Sequence, residues 1–332
     1  MELLRIIAML LVMIVHANFR ALPCPTVQET NTEVVSSILR FFTESFSIIS
    51  VNVFVLLSGW YGIKIKFSRL LELLFQIFFF SLLCFIIYVF VIDSNNSVGI
   101  NEFGSLLMLK SSNYWFVKAY LGLYILSPVL NTFVEFASRK QYQILLILFY
   151  TFQTIYAWIS PYGALYFEGG YSAISFVGLY LLARYVHLYP IRIWRLSRYW
   201  DLCIYLLIVI FTTVITYMLR KYDISHDRFY LYTSPFVIIS ALHFLLFFSK
   251  ISFNSEVVNW ISISCFAIYL LHSNSLLADP CYDNIIYTWF SEMSRISFLL
   301  HVGVFIMIVF ILSILMDKLR IILWNLLCKK NI

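Results

Sequence analysis

The chain has 332 residues, of which 62% are hydrophobic and only 12% charged, and its mean hydropathy is +0.88. A soluble domain carries about 25% charged residues, so this composition excludes a soluble enzyme and leaves an integral, multi-pass membrane protein. The net charge of +6 then reads as topology, not as a nucleic-acid footprint.

Apolar runs long enough to cross a hydrocarbon core of ~30 Å recur at 3–19, 45–63, 70–92, 114–136, 143–159, 172–188, 200–219, 232–249, 261–277 and 296–316. They predict an all-α fold of about ten transmembrane helices. A single membrane-embedded domain over 1–332, with no separate soluble domain, is expected. Trp115, Trp158, Trp194, Trp200, Trp260 and Trp289 lie near predicted ends, as an interfacial aromatic belt requires. With the N-terminus inside, one side collects the larger share of the 23 lysines and arginines, including Arg5, Lys64, Lys66, Arg69, Arg184, Arg195, Arg198 and Lys250. That side is assigned to the cytoplasm. An even number of spans puts both termini there.

The first run, MELLRIIAMLLVMIVHANF, has two interruptions, Arg5 and His16. Their spacing is about three helical turns, so both side chains share a face, separated by a rise of about 16 Å. An ionisable residue inside a span faces a polar partner or a water-filled cavity in preference to lipid. A fixed cation at the mouth of a shaft and an imidazole deeper in it suit an anionic molecule that must meet a proton-transfer group.

Later segments add candidates. Ser58 and Gly59 are small enough for close helix approach. Lys64, Lys66 and Arg69 close the inner end of the second run and read either as a phosphate site or as a positive-inside anchor. Trp115 stands at the outer end of the fourth run, with Lys118 one turn further in, placed to snorkel or to pair with an acid such as Glu44. Tyr269 and His272 end the ninth run on the outer side. Glu33, Glu44 and Asp279 are possible orienters of His16. His243 and His301 read as packing or interhelical hydrogen bonds, and His187 and His226 as solvated, near loops. The outer loops fall at 20–44, 93–113 and 278–295. Cys24 and Cys281 both sit in outer loops, but spacing alone requires no disulfide. There is no Gly-rich phosphate loop, no repeat and no Cys or His spacing suited to a metal.

The R-x10-H pattern of LLRIIAMLLVMIVH resembles the first helix of membrane-bound acyltransferase family 3. Three further stretches fit that family in order: VNVFVLLSGWYGIK (51–64), YWFVKAYLGLYILSPVLN (114–131) and SISCFAIYLLH (262–272). The resemblance implies a membrane O-acyltransferase that moves an acyl group, most often acetyl, from cytoplasmic acyl-CoA to a hydroxyl of an extracytoplasmic glycan or lipid-linked saccharide. It implies His16 as catalytic base or acyl carrier and Arg5 beside it, acting on the CoA phosphates or the thioester arm. Arg5, Lys64, Lys66, Arg69 and Ser58 are then the donor-binding candidates. Trp115, Lys118, Glu44, Tyr269 and His272 are the acceptor-side ones. Acetyl-CoA is the expected donor, with no metal, and the location a bacterial-type plasma membrane. The competing reading of the same residues is a multispanning transporter or flippase for an anionic or glycolipid substrate, disfavoured by only 10 glycines and 7 prolines where broken transport helices are rich in them.

Overall fold

The computed structural model describes residues 1–92, 104, 114–160 and 166–329; the predicted outer loop at 93–113 lies outside them except for Gly104. In chain order the helices are α1 (Glu2–Val15), α2 (Val27–Thr32), α3 (Val34–Ser47), α4 (Ser50–Tyr61), α5 (Phe67–Ile87), α6 (Trp115–Phe136), α7 (Arg139–Phe152), α8 (Ala173–Leu188), α9 (Arg198–Lys221), α10 (Pro235–Ser249), α11 (Glu256–Ser262), α12 (Cys265–His272), α13 (Asn284–Glu292) and α14 (Arg295–Lys329). Eight helical stretches are long and apolar enough to span a membrane. The shorter apolar helices Ala173–Leu188 and Glu256–His272 answer the two remaining runs.

Two features depart from the sequence expectation. The segment at 20–44, expected as a loop, carries α2 and α3. Thr26 closes a capping box with Glu29 at the start of α2, which satisfies two orphan helix-end donors. Helix α3 buries Ser37, Glu44, Ser45 and Ser47 and turns Val35, Leu39 and Phe42 outward; its polar residues dilute the apolar run and hide the helix from hydropathy. The last helix also runs well past 316, to Lys329. Cys24 and Cys281 are both free thiols.

The chain divides into two compact units. The first comprises Met1, Cys24–Ile65 and Phe116–Phe253, the second Glu2–Pro23, Lys66–Trp115 and Asn254–Ile332.

In the first unit, α4 packs on α8 at Gly59. A Cβ there would lie 2.3 Å from the Tyr180 carbonyl oxygen, so the two backbones touch. The Tyr180 hydroxyl accepts from the Ile63 amide and donates to Asn131 Oδ1, tying the end of α4 to α6. Pro128 interrupts α6 and cannot donate to Tyr124 O. The Ser127 hydroxyl donates to that same carbonyl at 2.7 Å, which keeps the helix continuous in a medium with no water to help.

The second unit shows the inside-out pattern of a lipid-facing bundle. Along α14, Val302, Ile306, Phe310, Ser313, Asp317 and Arg320 are buried, while Leu300, Val304, Ile308, Ile311, Leu315 and Leu319 are exposed. The charged residues point inward because they find partners there. Arg320 bonds Asp317 at 2.9 Å and Glu72 of α5 at 3.3 Å, and Gln76 donates to Asp317 at 2.9 Å. This network pins the start of α5 to the end of α14, so the two run antiparallel. Lys318 donates to Trp260 O at 2.7 Å, which places the end of α14 beside α11, just before α12. The charge of Arg5 acts on Cys265 at the start of α12, and His272 at its end meets His16, so α1 and α12 are parallel. These directions agree with the alternation expected of the first, third, ninth and tenth spans.

The α4–α8 contact yields a stability test. Gly59→Ala forces its methyl into backbone that cannot yield and should cost about 1–3 kcal/mol, as overpacking does, seen as a lower melting temperature of the purified protein in detergent. Gly303→Ala meets nothing within 4 Å and should leave the melting temperature unchanged or higher, since Ala outranks Gly in a helix by about 1 kcal/mol.

Candidate functional site

Helix α1 changes character at the residue the sequence singles out. Its α-helical turns end at Val15, and His16–Arg20 continues as a π-helix, closed by Ala21 N–H to His16 O at 3.0 Å. Such wider turns arise where a side chain enters the backbone ladder. Here the buried Tyr282 hydroxyl donates to Met13 O at 2.8 Å, one turn before His16. Tyr282 itself lies in a second π-helical turn, Ala278–Asp283.

The imidazole of His16 meets that of His272, at the end of α12. His16 Nδ1 and His272 Nε2 are 2.9 Å apart, with ring centroids 5.1 Å apart. The other nitrogen of His272, Nδ1, is 2.5 Å from Ile268 O. A carbonyl only accepts, so His272 carries its proton on Nδ1 and presents a lone pair at Nε2. The nitrogen facing that lone pair must donate; it is His16 Nδ1–H. Neutral His16 is thereby left with a bare lone pair at Nε2, which has no hydrogen-bond partner among the described residues. Ser273 Oγ lies 3.3 Å from His16 Nδ1 and 3.2 Å from His272 Nε2, bridging the pair. His272 is buried and His16 half-buried.

The surroundings hold the pair in place. The Tyr282 ring stands 5.3 Å from that of His272, and Tyr269 packs edge-on to His272 at 6.3 Å. The end of α12 is anchored by Tyr114, whose hydroxyl donates to Leu270 O at 2.5 Å and accepts from Asn274 at 2.8 Å. Arg20, one π-turn after His16, binds Asp283 through Nε at 3.1 Å and NH2 at 2.8 Å, and its guanidinium lies over the Tyr282 ring. Burial pushes the Asp283 carboxyl above its usual range, against the pull of Arg20. Arg20, Tyr282, Asp283 and Ser273 went unnoticed in the sequence; only the aromatic and acidic content of the loop following His272 hinted at them.

Of the sequence candidates, Arg5, His16, Lys66, Arg69, Trp115, Tyr269 and His272 belong to the second unit, and Glu44, Ser58, Lys64 and Lys118 to the first. Arg5 is half-buried and makes no hydrogen bond or ion pair among the described residues. Lys64, Lys66 and Arg69 are exposed and divided between the units. Ser58 bonds internally, to Phe54 O at 3.1 Å and the Tyr120 hydroxyl at 3.2 Å. Lys118 is half-buried and Glu44 buried. Within the second unit the partner of His16 Nδ1 is an imidazole, and Asp279 is exposed; Glu33 and Glu44 belong to the first unit.

The remaining histidines divide plainly. His243 Nδ1 bonds Asp201 between α9 and α10 at 3.0 Å, the interhelical bond expected, whereas His301 bonds Ser297 O within its own helix at 2.8 Å and packs edge-on against Trp289 at 5.6 Å. His187 is exposed. His226 is a correction: it is buried because it packs on Phe41 and sits 3.3 Å from the Cys24 thiol. Burial pushes that thiol up to about 11, so at neutral pH Cys24 is protonated and is no thiolate nucleophile. Among the described residues no group of His, Cys, Asp and Glu is arranged to hold a metal ion.

The Tyr282 contact gives a direct check. Tyr282→Phe keeps the ring against His272 but removes the hydroxyl bond to Met13 O. Losing a buried hydrogen bond costs about 0.5–1.5 kcal/mol, so the melting temperature should fall relative to wild type.

Comparison with known families completes the picture. The acyltransferase domain model of acyltransferase family 3 matches residues 1–318. No curated protein and no solved structure matches the chain. With nearly the whole of an all-helical, multi-pass chain covered by that one model, the protein belongs to acyltransferase family 3 and is a membrane acyltransferase.

Proposed function

We propose that the protein is an O-acetyltransferase of a bacterial-type plasma membrane, moving acetyl from cytoplasmic acetyl-CoA to a hydroxyl of an extracytoplasmic glycan or lipid-linked saccharide. The observation that carries this reading is the relay Ile268 O, His272, His16, which leaves one bare nitrogen on a half-buried imidazole. An imidazole takes a proton from an alcohol most effectively near its own pKa.

In the direct route the acceptor hydroxyl oxygen attacks the thioester carbonyl carbon while its proton passes to His16 Nε2. The resulting imidazolium donates more strongly through Nδ1–H to the neutral His272, whose own proton stays on its Nδ1, hydrogen-bonded to Ile268 O. The carbon–sulfur bond then breaks, and His16 returns the proton to the departing thiolate, giving ester and free thiol. In the alternative route His16 Nε2 itself attacks the thioester and carries the acetyl group to the hydroxyl. The same bare nitrogen serves both.

Arg5 lies on the same helix, about three turns earlier, within electrostatic reach of Glu2, and makes no hydrogen bond or ion pair among the described residues; a guanidinium suits a phosphate or the polar arm of the donor. Lys64, Lys66 and Arg69 supply further exposed positive charge to the donor. His272 is a positioning residue, and Tyr269 and Trp115 offer aromatic surface to a sugar. Lys118 and Glu44 are assigned to the acceptor side. Transport of a glycolipid finds no observation in its favour.

His16→Ala, expressed to the wild-type level, should lower acetyl transfer by at least about 10²-fold, the lower end of what general acid–base catalysis contributes. The assay is acetyl content of surface polysaccharide together with transfer by purified protein from labelled acetyl-CoA. A normal rate from a well-expressed His16→Ala protein contradicts the mechanism.

A further inference from the structure

The first unit holds a cavity of about 720 Å³ that the transfer chemistry above does not use. Its walls include Trp60 at the end of α4, His187 at the end of α8, Trp194 and Arg195 in the short turn before α9, Arg198 at the start of α9, and Lys250 just after α10. Volumes of about 300–1,000 Å³ are those of small-molecule sites.

The polar groups in this cavity are unbalanced in one direction. Lys250 is already committed: it binds Leu196 O at 2.8 Å and one oxygen of Asp201, a carboxylate with no exposed surface whose other oxygen takes His243. Asp201 therefore cancels Lys250, and the two together fix the turn that carries Trp194 and Arg195. Among the described residues Arg195 makes no hydrogen bond or ion pair, and Arg198 engages only the Tyr199 side chain. None of the residues lining the cavity is acidic. The indole N–H of Trp194 is buried with no acceptor among the described residues, a state that costs about 1–3 kcal/mol unless an acceptor is supplied. Trp60 adds a second indole, packed edge-on to His187 at 4.6 Å.

Two uncompensated guanidiniums and an orphaned donor call for an anion rich in acceptors, and guanidinium forks match phosphate oxygens. Two indoles in the same wall call for a flat ring beside that phosphate. We propose that this cavity binds a nucleotide, its phosphate on Arg195 and Arg198 and its base against Trp194 and Trp60. The identity of the nucleotide rests on the transfer reading, under which it is the base-and-phosphate end of the coenzyme A donor.

The test is binding, read separately from transfer. Adenosine 3′,5′-bisphosphate and coenzyme A are titrated by calorimetry into the full-length His16→Ala protein in zwitterionic detergent, with phosphatidylglycerol vesicles as a third probe. Both nucleotides should bind. Arg195→Gln with Arg198→Gln should weaken them by at least about tenfold, as loss of charge-assisted hydrogen bonds implies. Trp194→Phe, which keeps a ring and removes only the N–H, should weaken them by a smaller factor. Both arginines are exposed, so an unchanged melting temperature confirms intact variants. Nucleotide affinity that ignores all three substitutions overturns the site, and so does binding of phosphatidylglycerol vesicles with no nucleotide binding. If the arginine variants bind poorly while the wild-type chain transfers no acetyl group, the site stands and the transfer reading falls. If they transfer normally with an unchanged KM for acetyl-CoA, the site falls and the transfer reading stands.

Discussion

A backbone carbonyl fixes the tautomers of the buried histidine pair. Ile268 O can only accept, and it holds the proton of His272 on Nδ1. That one constraint propagates: His272 must accept at Nε2, His16 must donate at Nδ1, and the far nitrogen of His16 is left bare. A lone imidazole in a membrane span would choose its tautomer by chance contact. Here the choice is made by a helix, and helical hydrogen bonding is the strongest obligation a chain has inside a bilayer. Two cationic imidazoles at this separation would repel, which accords with the proton-transfer role proposed for His16.

The rest of the second unit serves that relay. Tyr282 reaches into the ladder of α1 one turn ahead of His16, and Arg20 and Asp283 lock the segment that bears Tyr282. Tyr114 and Asn274 secure the other partner by its backbone. At the opposite end of the same helices, the Glu72–Arg320–Asp317–Gln76 network supplies polar fastening where apolar residues are spent on lipid. Among membrane helices apolar contact gives little preference for protein over lipid, so small residues and internal hydrogen bonds set the packing. Gly59 against Tyr180 is the same rule in the first unit.

How far the sequence could be read follows from the range of each signal. Hydropathy is local and continuous, so ten apolar runs were visible and each became a helix. Arg5 and His16 were visible because charge in an apolar run is rare and their helical phase is simple arithmetic. The pairing of His16 with His272 was not, because it joins residues 256 positions apart and nothing in either run names the other; the expected orienters were acids because acids are the usual partners. The π-turn was hidden as well, since it depends on a hydroxyl arriving from another segment. Helix α3 was missed for a third reason: apart from Phe41 its buried residues are polar, which a hydropathy scan scores as loop. His226 was judged solvated from its neighbours in sequence, whereas Phe41 and Cys24 enclose it in space.

The central claim is the bare nitrogen on His16, and nitrogen-15 NMR of the histidine-labelled protein measures it directly. At neutral pH, His16 should show a protonated Nδ1 and an unprotonated Nε2, with a coupling across the hydrogen bond from His16 Nδ1 to His272 Nε2. A His16 ring protonated on Nε2, or one with no coupling to His272, contradicts the account.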